Sequence, residues 1–337
     1  MKNISAKLAR GLLVRGMINL ITQKPLAISF EITHSCNANC SHCDKDGIIP
    51  NEKLAPPEKF DEIYRQLRPL FAQISGGEPL LRSDYLDVVK LFRSHGTLPM
   101  VAFVSNAALM TIEKYLELKK AGVDQFSFSI DMPDERHDKN RQIPGLFQHL
   151  SEIIPKMTAM GYHDIAMICA IRKQNLPYLI DITKTALKWG ASMTFSSYTR
   201  LRTNSDEHSL KTEEELQLLR HQIGQLIEMR RQGAPIVNTE AVFMGMIKFF
   251  ETNYIPNCRT GIRHLVVNPD GSLVPCAMHK VTFGAQKELI NNFTKKNACG
   301  ACYVPLRANS EMSFSHLWND LVLDYLKKRI RQNNYQN

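Results

Sequence analysis

Seven of the eight cysteines in this chain fall into two groups with ligand-like spacing. The first is Cys36, Cys40 and Cys43, in the run Cys36-Asn37-Ala38-Asn39-Cys40-Ser41-His42-Cys43. A cubane iron–sulfur cluster has four irons, so three thiolates leave one iron without a protein ligand, and no fourth cysteine lies nearby. An iron left open takes a small molecule, which turns an electron carrier into a catalyst. The same residues admit a zinc knuckle, in which two or three thiolates join His42 or His34. The second group is Cys258, Cys276, Cys299 and Cys302, with Gly271 between the first two and the last two set as Cys299-Gly-Ala-Cys302. Four thiolates fully ligate one [4Fe–4S] cluster or hold one structural zinc ion. The eighth, Cys169, stands alone in an apolar run and reads as inert core packing.

These ligands need elements to position them. Short apolar, β-branched runs at residues 26–33, 71–75, 100–104, 125–130, 165–171 and 193–198 read as strands. Each precedes a stretch with helical spacing: Phe60, Ile63, Tyr64 and Leu67; Tyr85, Val88, Val89 and Phe92; Ile112, Tyr115 and Leu116; Phe147, Leu150, Ile154 and Met157; a helix closing at Gly190; and Leu216, Leu219, Ile223, Leu226 and Met229. Six strand-then-helix units call for parallel strands with right-handed crossovers, an α/β fold whose site lies at the C-terminal ends of the strands. Polar candidates stand there in loop after loop: Gly76-Gly77-Glu78-Pro79, Ser105-Asn106, Ser129 with Asp131, then Asn175, Tyr198 and Arg200. Two adjacent glycines let the backbone approach a ligand closely.

After about residue 235 the rhythm changes. Residues 262–268 and 273–275 read as two strands joined at Pro269-Asp270-Gly271, with cysteines on both sides. The division expected is a basic N-terminal segment (1–25), an α/β unit (26–235) and a small cluster-binding domain (236–337) that ends in a helix over 314–331.

At 337 residues, 44% apolar and 22% charged, the chain has ordinary globular composition without repeats or low-complexity tracts. Cysteines grouped as ligands fit a reducing compartment better than a disulfide framework. No signal peptide or membrane-spanning stretch is evident, so the expected location is the cytoplasm. The net charge is +9, and residues 1–26 carry Lys2, Lys7, Arg10, Arg15 and Lys24 with no acid. A basic surface favours anionic partners such as nucleic acid, phosphate groups or a membrane face. With Leu8, Leu12, Leu13, Ile18 and Ile21, the N-terminal segment either lies on an anionic membrane or packs on its own domain.

The CxxxCxxC spacing resembles the signature of the radical S-adenosylmethionine (SAM) superfamily, and Gly76-Gly77-Glu78-Pro79 resembles that family's GGEP motif. The resemblance, which runs from about Leu26 to Cys302, implies a partial (β/α)6 barrel. It also implies a [4Fe–4S] cluster on Cys36, Cys40 and Cys43 whose open iron chelates SAM. Glu78 would accept the methionyl ammonium of SAM. Ser105-Asn106 resembles the Thr-Asn-Gly-like turn that contacts SAM, although Ala107 departs from glycine. Ser129 and Asp131 would face SAM, and Arg141 matches an arginine that binds its carboxylate through a planar fork. Asn175, Tyr198 and Arg200 would contact SAM or line the substrate cavity. The turn glycine and the later cysteines are similar to the opening of SPASM and twitch domains, and imply a second, auxiliary [4Fe–4S] cluster on Cys258, Cys276, Cys299 and Cys302.

The activity implied is reductive cleavage of SAM to a 5′-deoxyadenosyl radical, with hydrogen abstraction from a peptide or small molecule. An electron donor such as flavodoxin or ferredoxin would feed it. Only the residues before Cys36 precede the barrel, too few for a leader-binding domain, which weakens the ribosomal-peptide case without removing it. The basic N-terminus leaves room for a lipid-linked or phosphorylated substrate and for peripheral membrane contact. A non-catalytic zinc or iron–sulfur protein that binds nucleic acid would leave Gly76-Gly77-Glu78-Pro79 unexplained, so nucleic acid is not the expected partner.

Overall fold

The structure is a computed structural model that describes residues 6–312. A helix, α1 (Ala6–Ile21), precedes six strand–helix units. The strands are β1 (Ala27–Thr33), β2 (Phe71–Gly76), β3 (Met100–Ser105), β4 (Gln125–Ser129), β5 (Ile165–Ile171) and β6 (Ser192–Ser197). The crossover helices are α2 (Pro57–Leu67), α3 (Tyr85–Ser94), α4 (Ile112–Ala121), α5 (Arg136–Arg141) with α6 (Leu146–Thr158), α7 (Leu179–Lys188) and α8 (Glu213–Arg231). Then come α9 (Glu240–Thr252), β7 (His264–Val267), β8 (Leu273–Val274), α10 (Gln286–Asn292) and α11 (Pro305–Glu311). The helix expected over 314–331 lies outside the described residues.

Eight strands form one open sheet in the order β6-β5-β4-β3-β2-β1-β7-β8, parallel except for the β7–β8 pair. This is the α/β architecture of a partial barrel. Side chains alternate across it with period two. Ile28, Phe30, Ile32, Ala72, Ile74, Val101, Phe103, Phe126 and Phe128 are fully buried in the core. Phe30 meets Phe92 of α3 at 4.6 Å between ring centroids and Phe60 of α2 at 6.2 Å. The alternate positions, Ser29, Glu31, Gln73, Ser75, Ser129 and Ser196, face a cavity. The sheet therefore has an oily outer side for its helices and a small, polar inner side for a ligand.

Two features differ from a reading of isolated segments. The hairpin expected to head a separate small domain joins the main sheet: β7 pairs with β1, Ala27 opposite His264 and Phe30 opposite Val267. Without it β1 would present an unpaired ladder, which an edge strand tolerates poorly. Second, α1 packs across the N-terminal ends of the strands. Leu12 is buried with Leu26, Leu70 and Leu98, which precede β1, β2 and β3. The Asn19 amide donates to the carbonyls of Pro25 and Arg68 at 2.8 and 3.0 Å, which ties the helix down.

Candidate active site

The cysteine loop springs from the end of β1, and its root is pinned by one carboxylate. Glu52 accepts from Thr33 Oγ1 at 2.5 Å, the His34 amide at 2.5 Å and Ser35 Oγ at 3.0 Å. Gly76 and Gly77, at the end of β2, lie against that root. The Gly77 amide donates to the Thr33 carbonyl and that of Glu78 to the Ser35 carbonyl, both at 2.8 Å. A β-carbon on Gly76 would stand 2.0 Å from the Thr33 oxygen, and one on Gly77 2.1 Å from the Ser35 oxygen. The close approach these glycines permit is first of all to the cysteine loop itself, although both also line the cavity.

Cys36 and Cys40 are buried, and Cys43 partly so. Burial pushes the Cys36 thiol up and the Cys40 thiol up to about 11. Arg202, in the loop after β6, points its guanidinium at Cys43 Sγ from 3.9 Å and pairs with Asp44 at 3.0 Å. Under the loop, Glu31 is buried with His34 at 2.8 Å and Lys45 at 3.4 Å. Burial alone would raise its pKa, but the His34 hydrogen bond and the charges of Lys45 and Arg202 bring it down to about 2.

Glu78 is fully buried and does not line the cavity. Its oxygens accept from Ser105 Oγ and the Asn106 amide, each at 2.8 Å, and from the Leu80 amide at 3.1 Å. A carboxylate has about four acceptor sites, so these three bonds leave it room for one more donor. Desolvation raises its pKa. Ser105 and Asn106 do line the cavity, and the Asn106 side chain donates to Asn37 Oδ1 at 2.8 Å, which fastens the third strand's end to the cysteine loop. Ala107 occupies a left-handed conformation, φ +64°, where a glycine would be relaxed.

Ser129 and Arg141 line the cavity, whereas Asp131 does not. Asp131 has no solvent exposure and accepts from Arg141 Nε at 2.6 Å; Arg172 Nη2 stands 3.5 Å from its other oxygen. Burial would raise its pKa, yet the two guanidiniums hold it far below the carboxylate range. Asp131 sits behind Arg141, where it orients that side chain toward the cavity. Of the remaining strand-end candidates, only Tyr198 lines the cavity. Asn175 closes the turn after β5, accepting from the Arg172 amide at 2.8 Å and donating to the Ala170 carbonyl at 2.9 Å. Arg200 is exposed and pairs with Asp206 at 3.7 Å. Cys169 is buried in the core, with its thiol pushed up by desolvation.

The second cysteine group opens onto the same cavity, about 350 Å³ in volume, which Cys258, Cys276, Cys299 and Cys302 all line. Burial raises the Cys258 thiol to about 11 and Cys276 to about 12. Cys299 is lowered instead, chiefly by a hydrogen bond with His279. Behind them, fully buried Arg307 of α11 donates to the carbonyls of Cys302 at 2.7 Å, Ile255 at 2.6 Å and Pro256 at 3.1 Å, and reaches Cys302 Sγ at 3.8 Å. Glu31, Lys45, Arg202, His279 and Arg307 thus belong to the site beside the residues singled out from sequence, and His42, a candidate ligand from sequence, lines it too. The signal for Glu31 was the polar alternation Ser29, Glu31 within an otherwise apolar strand.

Among the described residues no group of three or more His, Cys, Asp or Glu side chains is gathered to hold a metal ion. All seven grouped cysteines line the wall of one cavity. Arg202 beside Cys43 and Arg307 beside Cys302 set a cation next to a thiol in each group, which suits thiolates that ligate a metal.

Residues 30–186 match the model of the radical SAM superfamily, and the cysteine triplet, Gly76-Gly77, Ser129 and Arg141 lie within the matched residues. An AdoMet-dependent heme synthase from Oleidesulfovibrio alaskensis is 28% identical over 173 residues, 49% of this chain and 43% of that protein. A probable GTP 3′,8-cyclase from Pyrococcus abyssi is 27% identical over 170 residues, 49% of this chain and 54% of the relative. The chain spans about half the length of these curated relatives. Its fold is similar to that of Streptococcus suis SuiB bound to the precursor peptide SuiA, with a TM-score of 0.64 at 14% identity, over 91% of this chain and 71% of the other.

Proposed function

We propose that this chain is a radical SAM enzyme that cleaves SAM reductively and uses the resulting radical to abstract hydrogen from a peptide or small molecule. The observation that carries the reading is the single cavity on which both cysteine groups converge with Gly76, Gly77, Ser105, Asn106, Ser129 and Arg141. Cys36, Cys40 and Cys43 would hold a [4Fe–4S] cluster, which supplies the electron and an iron site for SAM when bound. Arg141, aimed by Asp131, would grip the SAM carboxylate; Glu78 has one acceptor site left for its ammonium. Small inner-face side chains such as Ser75, Ala170 and Ser196 leave room for the nucleoside.

Cys258, Cys276, Cys299 and Cys302 would hold an auxiliary cluster in a SPASM/twitch-like region. It opens onto the same cavity as the first group, where it would exchange an electron with a bound substrate. SuiB with its bound precursor peptide supports a peptide. Relatives named as a heme synthase and a probable GTP 3′,8-cyclase keep small molecules in the proposal. A phosphorylated substrate is less well served. Lys45, Arg202, Arg141 and Arg307, the lysine and arginines that line the cavity, already have acidic partners in Glu31, Asp44, Asp131 and Glu311. A one-electron donor such as flavodoxin or ferredoxin and a reducing, cytoplasmic setting complete the reading.

The test is anaerobic reconstitution with iron and sulfide, then dithionite and SAM. The expected product is 5′-deoxyadenosine. An intact cluster that yields none would end the enzyme reading.

A further inference from the structure

Among the described residues, helix α1 is apolar on two sides but covered by protein on one. Its inner side, Leu8, Leu12 and Asn19, packs on the N-terminal ends of β1–β3. Its outer side carries Val14, Met17, Ile18 and Ile21, exposed by 48, 49, 52 and 79%. These recur at helical spacing on one stripe, with exposed Arg10 at its head. A helix apolar all round is ordinarily buried all round, and large side chains grouped in this way mark a docking surface.

The charge around the stripe selects the partner. Residues 1–26 hold five basic residues and no acid. Phe71, at the start of β2 and so at the same end of the sheet, is 45% exposed. An in-plane helix with aliphatic side chains downward and exposed Arg10 at the head of the stripe, in a segment without an acid, fits an anionic lipid surface, to which it binds by buried apolar area and electrostatic attraction together. A protein partner or a second copy would have to supply acids to meet the same cations.

We propose that the outer face of α1 docks the protein on anionic membranes, with Val14, Met17, Ile18 and Ile21 inserted at the level of the headgroups. The proposal is independent of the chemistry assigned to the cavity. It fixes an orientation as well. The helix crosses the N-terminal ends of the strands, whereas the cysteine loop and Gly76-Gly77 lie at their C-terminal ends. The docked protein therefore turns its cavity away from that membrane, so docking holds the protein at the surface and does not feed lipid into the site.

The experiment is flotation of the full chain with phosphatidylcholine vesicles, with and without phosphatidylglycerol. The wild type is expected to float with the anionic vesicles only and to be released by high salt. The Ile18→Asp/Ile21→Asp double variant, altered only at exposed positions, should bind at least tenfold less. Arg10→Glu should bind severalfold less. Circular dichroism on each variant confirms that the fold is kept. Wild type that stays free of anionic vesicles would overturn the proposal, as would a double variant that floats equally well. A wild-type dimer that the double variant converts to monomer, without vesicle binding, would assign the face to a second copy instead.

Discussion

The two cysteine groups face one cavity but are held in different ways. Cys36, Cys40 and Cys43 hang from a strand end whose backbone is locked to its neighbour. The Gly77 amide donates to Thr33, that of Glu78 to Ser35, and Glu52 pins the root. The second group is carried by loops and braced by side chains: Arg307 on the carbonyls of Cys302, Ile255 and Pro256, and Asn297 on that of Cys258 at 2.9 Å. Its close packing combines a side chain with backbone, since a β-carbon on Gly300 would stand 2.3 Å from the Tyr254 ring and 2.8 Å from the Ile255 oxygen. The first loop is built to the precision of the sheet beside an opening lined by Arg141, which suits a site that must place a reactant. The second has four thiols and a buried cation behind them, which suits a closed cluster.

The sharpest way to break this comparison is to delete one thiol from each group. Cys36→Ala should abolish SAM cleavage. Cys299→Ala should lower iron from about eight to about four per chain, since each cubane holds four, while the first cluster's spectrum persists. Iron analysis with 5′-deoxyadenosine assay reads both. Equal loss of both clusters in each variant would merge the two groups into one unit.

Asp131→Asn comes next. It leaves Arg141 and Arg172 buried with no counter-charge, and breaking such a pair costs about 3–5 kcal/mol. The expected result is a large drop in the urea midpoint and a raised KM for SAM. Glu311→Gln, its counterpart beside Arg307, should cost about 1 kcal/mol or less, because Glu311 is nearer the surface. Similar losses in the two variants would show that the two sites are braced alike.

Glu31 separates them by pH. Its folded pKa of about 2 lies below the ordinary value of 4.5, so its contribution is fully present above about 4.5 and is lost as pH falls through 2. That contribution is on the order of 3 kcal/mol at neutral pH. The stability gap between wild type and Glu31→Gln, read from urea midpoints, should therefore shrink steadily below pH 4.5. A gap that does not change with pH would remove the charge from the account. The smallest effect is expected at Ala107. Its left-handed backbone, φ +64°, makes Ala107→Gly stabilising by about 1 kcal/mol, measurable as a small rise in Tm without change in SAM binding.

Much of this was legible in the sequence because strand, helix and ligand signals were local. Strand-then-helix periodicity gave the six units, and the cysteine spacings picked out the two groups that line the cavity. What the sequence hid were relations between distant segments. Nothing local tells that β7 will pair with β1, or that the outward side chain of Asp131 is trapped between two guanidiniums rather than open to the cavity. Asn175 looked like a site residue because it follows a strand, yet its amide closes its own turn. Arg202 and Arg307 passed unremarked as ordinary basic residues, and only the fold carries them to Cys43 and Cys302.

The most direct test of the central claim, an open iron at the triplet and a closed cluster opposite, is electron paramagnetic resonance of the reduced, reconstituted protein with and without SAM. The account predicts two cluster signals, of which SAM shifts one, and the shifted signal is missing in Cys36→Ala but kept in Cys299→Ala. Signals from an iron-loaded protein that SAM leaves unchanged would contradict it.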